Sequence, residues 1–164
     1  CLFNNTKLFL FTRFSLRILI IMRSKSKVCF FFQGHRFSLQ NRGRLKSFIE
    51  KTLKAEGLKP GQLNYIFCSD REIRKINRNY LNHDFATDII TFDLSEQNEV
   101  TADIYISIDR VRENAKALGV SIKNELHRVV FHGALHLCGY KDKKPAEIKI
   151  MRAKEEGLLS RYGV

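Results

Sequence analysis

No acidic residue appears before Glu50, although the first 49 positions carry ten Lys or Arg. From position 50 onward nineteen basic residues face seventeen acidic ones. The formal net charge of +12 is therefore a property of the N-terminal third. A basic patch for a polyanion would draw on Arg23, Lys25, Lys27, Arg36, Arg42, Arg44 and Lys46. The alternative is a solvated positive face without a ligand. Tryptophan is absent and proline occurs only at Pro60 and Pro145. No repeat or low-complexity tract is visible. The four cysteines, Cys1, Cys29, Cys68 and Cys138, form no CxxC pair. That excludes a thiolate zinc knuckle or a tight disulfide framework, and it suits reduced thiols in the cytosol. The longest apolar run, "FSLRILIIM", falls short of the ~20 residues a membrane helix needs, and Arg17 interrupts it. It has some signal-peptide character, but no small-residue cleavage site follows. Residues 1–21 read as an extension upstream of a start at Met22, outside the fold.

What is present is enough for one core. Hydrophobic residues make up 44% of 164 positions, which excludes a disordered chain and suits a single domain over 22–164. "VCFFF", "QLNYIFCS", "TDIITFDL" and "ADIYISI" read as strands. Leu45, Phe48, Ile49 and Leu53 recur at helical spacing, with Gly57 just past the end. Ser69 or Asp70 caps a helix carrying Ile73, Ile76 and Tyr80. Asp109 caps the next, which stops at Gly119. Ser121 caps the longest, Ile122 to Leu137, and a last helix runs from about Pro145 to Leu159. The order of strand, helix, strand, helix, two strands and three helices predicts an α+β domain. It has a mixed sheet of about four strands, and the Ile122–Leu137 helix is apolar enough to be largely buried.

That helix carries the chemistry. In "VVFHGALHLCGYKDKK", His132 and His136 lie four apart, so their side chains project only about 40° apart, one turn above the other. Two imidazoles so placed form a rigid half-site for zinc, which takes about four tetrahedral ligands. Gly139 lets the chain leave the helix through a left-handed conformation, and the following turn can return a side chain to the histidines. Of Tyr140, Lys141 and Asp142, only the aspartate offers a suitable oxygen. Three protein ligands leave one position open to water, whose pKa such an ion lowers to roughly 7. The chemistry implied is hydrolysis of an ester, amide or phosphodiester. Zinc proteases of the HExxH type need a glutamate after the first histidine, and here that position is Gly133. Histidines at this spacing also occur as core residues satisfied by backbone. His127 lies about 140° round the helix from His132 and fits the site poorly. So does Cys138; His35 and His83 are isolated.

"FHGALHLCGY" resembles the HGxLHLxGYDH signature of the YbeY family of bacterial endoribonucleases. "INRNYLNHDFATDIITFDL" resembles that family's segment ending PTDVLSF, and "TADIYIS" its GDIxIS strand. The resemblance covers about Gln62 to Glu156. It implies an α+β fold, one zinc ion, no nucleotide cofactor and no membrane. The implied activity is cleavage of single-stranded RNA in the bacterial cytoplasm. The implied partners are ribosomal RNA and the small ribosomal subunit, in 3′-end maturation and ribosome quality control. His132 and His136 fall on the first two metal ligands of the family. Asp142 falls on the third, where the common pattern has histidine. Asp88 falls on the aspartate of the TDVLSF segment. Leu81 stands where many members carry arginine, and Arg78, one helical turn earlier, is the residue placed to substitute. The alternative function is a ribosome-associated assembly factor with a structural metal and little nuclease activity.

Overall fold

A computed structural model gives the structure of the chain and describes residues 26–34, 37–96 and 99–164. The expectation for residues 1–21 falls outside this set, as do Arg23, Lys25, His35 and Arg36. The elements are β1 (Val28–Phe32), α1 (Arg42–Ala55), β2 (Lys59–Cys68), α2 (Asp70–Leu81), β3 (Ile89–Asp93), β4 (Glu99–Ser107), α3 (Ile108–Leu118), α4 (Ile122–Leu137) and α5 (Pro145–Tyr162). They form the α+β domain with a four-stranded mixed sheet that the sequence predicts, in the order β1-β2-β4-β3. β1, β2 and β4 run parallel, and β3 returns antiparallel along β4 as an edge strand.

Side-chain alternation divides the interior into two cores. Leu63, Tyr65 and Phe67 of β2, with Ala102, Ile104 and Ile106 of β4, point into the larger core. There they meet Leu45, Ile49 and Leu53 of α1, the apolar face of α4, and Met151 and Leu158 of α5. The intervening Ile66, Cys68 and Tyr105 point the other way, where Ile73 of α2 covers them. β2 and β4 are buried on both faces, as central parallel strands must be. Nine α4 residues are buried, among them Val129, Val130, Phe131, Ala134 and Leu135, so this helix is the spine of the larger core.

Several boundaries differ from the sequence reading. β2 begins at Lys59, not Gln62, because a bulge between Pro60 and Leu63 admits the extra residues. Gly61 is required in that bulge: a Cβ there would lie 2.6 Å from Thr101 Oγ1 and 2.8 Å from the Val100 carbonyl oxygen. The cap of α3 is Ser107, whose hydroxyl accepts from the Arg110 N–H, and not Asp109. Asp109 instead accepts from the Asp70 N–H, joining the starts of α3 and α2. Between the two candidates for α2, Ser69 is the cap. α5 runs three residues beyond Leu159 and ends on Gly163 at φ 81. Cys29, Cys68 and Cys138 are free thiols. No helix among the described residues is long and apolar enough to cross a membrane.

Candidate metal centre

α4 is aimed by its contacts with the sheet. The position after His132 has to be glycine: a Cβ at Gly133 would sit 2.8 Å from Ile89 Cδ1 and 3.1 Å from Ile104 Cγ2. The helix lies flat on β3 and β4 there. The place where an HExxH helix carries its glutamate is filled by the sheet. His132 and His136 project from a neighbouring face, their side chains 13% and 28% exposed. Their ring centroids are 4.3 Å apart.

The helix ends in a Schellman motif. The Tyr140 N–H donates to the Leu135 carbonyl at 3.1 Å, and the Gly139 N–H to that of His136 at 2.9 Å, with Gly139 at φ 87. Two consequences follow from this one turn. The Tyr140 carbonyl is delivered to His136 Nδ1 at 3.0 Å, and Asp142 is carried back over both rings. Asp142 Oδ2 lies 3.4 Å from His132 Nε2 and 3.6 Å from His136 Nε2. The candidate ligand atoms of His132, His136 and Asp142 all lie within 4.8 Å of one another.

Both Nδ1 atoms are engaged, and this fixes the tautomer. Glu155 Oε1 sits 2.6 Å from His132 Nδ1 and is 5% exposed. With Nδ1–H donated to carboxylate and carbonyl, both Nε2 lone pairs face Asp142. Two imidazole nitrogens and one carboxylate oxygen are a donor set that zinc accepts. Charge points the same way. Arg128, one turn before His132, is clasped by Glu125 through two 2.7 Å bonds. Its Nη1 reaches both Glu155 oxygens at 3.4 Å, and its Nη2 lies 3.6 Å from Asp88 Oδ2. The Glu125 bonds hold the guanidinium pKa above the usual arginine value. Three carboxylates, those of Asp88, Glu125 and Glu155, surround the one guanidinium, and Asp142 adds a fourth negative charge on the far side of His132. A bound dication would offset that excess negative charge.

His132, His136 and Asp142 are thus brought together, and Asp88 reaches them through Arg128 and Glu155. Asn114 Nδ2 also donates to Asp88 at 3.4 Å. Arg78 is elsewhere: it is exposed on α2, lines a separate cavity, and makes no ion pair among the described residues. Leu81 is the last residue of α2 and 43% exposed. Sequence reasoning missed Arg128, Glu125 and Glu155. The helical step from Arg128 to His132 was available as a signal, but Glu155 lies on another helix and had none. His127 is a core residue: its Nδ1 sits 2.6 Å from the Lys123 carbonyl, its ring packs on Tyr162, and burial pushes its pKa down. Of the expected N-terminal bases, the four described ones each make a contact within the protein, while Lys27, Arg42 and Arg44 remain exposed. Lys27 pairs with Glu99 at 3.0 Å. Arg42, Arg44 and Lys46 lie over the rings of Phe32, Tyr162 and Phe30.

Comparison with known proteins places this geometry. The family model of endoribonuclease YbeY matches residues 33–163. The Flavobacterium johnsoniae protein named endoribonuclease YbeY is 45% identical over 128 residues, 78% of this chain and 92% of its own length. The Cytophaga hutchinsonii protein of that name is 46% identical over 138 residues, 83% of this chain and 96% of its own. A Thermotoga maritima protein known from a solution structure superposes with a TM-score of 0.56 at 28% identity, over 82% of this chain and 91% of its own.

Proposed function

This chain belongs to the YbeY family of endoribonucleases, and we propose that it is a zinc-dependent enzyme cutting single-stranded ribosomal RNA in the bacterial cytoplasm. Its task in this reading is maturation of the small-subunit 3′ end and ribosome quality control, with the small subunit as partner. The domain is residues 22–164. The observation that carries the reading is the convergence of His132 Nε2, His136 Nε2 and Asp142 Oδ2 with both Nδ1 atoms already held. An ion bound there would supply Lewis-acid polarisation of a phosphodiester and activation of water.

The chain's own residues divide the remaining work. Glu155 and the Tyr140 carbonyl orient the two imidazoles. Arg128 holds Glu155 in place and is itself held by Glu125. Asp88 is engaged with Arg128 and Asn114, which favours a positioning role over that of a free base. Arg78 acts at a distance from the ion, as a phosphate contact in the cavity beside α2. Asp142 in place of histidine adds negative charge to the donor set, which suits zinc and harder divalent cations alike.

The test is elemental analysis of the purified protein beside cleavage of a labelled single-stranded RNA, with His132→Ala as control. Stoichiometric zinc and cleavage lost in the variant are expected. Stoichiometric zinc without cleavage, together with ribosome co-sedimentation, would replace this reading with that of an assembly factor.

A further inference from the structure

The loop joining α2 to β3 is fixed at nearly every step. Asn82 turns the chain at φ 58. Arg74 binds Asp84 through two parallel bonds of 2.9 and 3.0 Å. Buried Asn77 donates to the Phe85 carbonyl at 2.9 Å, and the Asp88 carbonyl accepts from the Ser107 N–H at 2.9 Å. Yet this tightly held loop turns the Phe85 ring outward, 57% exposed, with the His83 ring centroid 5.4 Å away. A single exposed apolar side chain is ordinary on a protein surface; what sets Phe85 apart is its company.

Phe85 forms one wall of a cavity of about 790 Å³ whose other walls are mainly cationic side chains of α2 and α3. Arg74 is answered by Asp84, Arg110 by Asp70 and Lys75 by Glu72. Arg71 and Arg78 also line the cavity and have no ion-pair partner within 4 Å among the described residues. They are seven positions apart on α2, hence on one face two turns apart. An exposed aromatic ring on a held loop, beside cations that make no direct ion pair, is a combination that holds single-stranded nucleic acid: the ring takes a base face and the cations take phosphates. An acidic peptide would use the cations and leave the ring without a purpose.

We propose that this cavity is a subsite for single-stranded RNA, in which one base stacks on Phe85 and Arg71 and Arg78 bind flanking phosphates. It rests on the nuclease reading above and says where the substrate is held. The cavity and the metal centre are separate sites joined by one loop: three residues after Phe85 it reaches Asp88, whose carboxylate lies 3.6 Å from Arg128, the neighbour of Glu155 and His132.

Fluorescence anisotropy with a labelled single-stranded RNA in EDTA reads binding without metal-dependent cleavage. Phe85→Ala should weaken binding at least fivefold, the lower end of what one stacked base contributes. Phe85→Trp should retain it. Phe85→Ala should leave the salt dependence unchanged, whereas Arg71→Ser with Arg78→Ser should lower its slope by about 1.4. A strand of the same length with abasic sites should bind wild type and Phe85→Ala equally. Equal affinity of wild type and Phe85→Ala for the RNA overturns the proposal, and so does a matching Phe85-dependent loss with an acidic peptide. The two readings fail separately. Zinc-dependent cleavage with no Phe85 effect sinks the subsite alone. A Phe85 effect without cleavage sinks the nuclease and leaves the subsite standing.

Discussion

Replacing Glu155 by glutamine tests whether the candidate metal centre is organised from outside its ligands. The side chain is 5% exposed and touches His132 Nδ1 at 2.6 Å and Arg128 at 3.4 Å. Glutamine keeps the shape, and its oxygen can still accept from His132 Nδ1–H. Its NH₂ group then faces the Arg128 guanidinium, donor against donor. Arg128 is not stranded, because the 2.7 Å bonds to Glu125 persist. The full penalty of a broken buried pair, about 3–5 kcal/mol, therefore does not apply. Loss of charge on one 2.6 Å bond and of one of the two long contacts gives roughly 1–3 kcal/mol. At about 2–4 °C per kcal/mol, the metal-free protein should melt roughly 3–10 °C lower. Zinc affinity should also fall about 10–100-fold, as it does when a ligand's outer partner is lost. Competitive chelator titration and a thermal melt in EDTA measure the two effects independently. A lower melt with unchanged zinc affinity would show that Glu155 only packs α5 against α4, and the orienting role would be wrong.

Asp142 should behave in the opposite way. At 41% exposure its removal leaves the metal-free melt unchanged, while Asp142→Ala weakens zinc strongly and Asp142→His binds it more tightly; equal affinity in all three proteins would mean that Asp142 is only the turn after the helix. Gly133→Glu should fail to fold or lose more than about 4 kcal/mol in urea denaturation, because it drives a carboxylate into Ile89 and Ile104. His127 has a pKa lowered by burial, so the unfolded chain takes up its proton first as pH falls. Its contribution to stability is present above the unfolded value of about 6.5 and is lost below it. Urea denaturation between about pH 7.5 and about pH 5.5 should show a shallower decline for His127→Phe than for wild type.

The legible parts of this molecule are those written in local sequence. Ser121, Gly139 and the apolar face of Ile122–Leu137 are each decided within a few residues, so α4, its end and the return of Asp142 were all readable. The parallel pairing of β2 with β4 joins residues some forty positions apart, and only its double-sided burial, in "YIFC" and "IYIS", hints at a central place. The bulge at Gly61 was not readable, because the atoms that demand a glycine there, Thr101 Oγ1 and the Val100 carbonyl, lie across the sheet. The cap of α3 was misplaced for a similar reason. Ser107 and Asp109 are both competent caps in isolation, and the structure uses Asp109 to tie down Asp70.

The basic surface shows a different limit. Summed charge pointed to the N-terminal third, since acids are missing there. Charge is available to a ligand only where folding leaves it unanswered. Lys27 is paired with Glu99, whereas Arg42 and Arg44 lie over aromatic rings but stay exposed and keep their charge. On α2 the four cations Arg71, Arg74, Lys75 and Arg78 outnumber Asp70 and Glu72 two to one, an excess already visible in the sequence, but a count does not say which of them stay unpaired. Folding sends Asp70 to Arg110, Glu72 to Lys75 and Asp84 to Arg74, which leaves Arg71 and Arg78 facing solvent beside Phe85. The distribution of acids, which only the tertiary structure fixes, decides which cations can meet a phosphate.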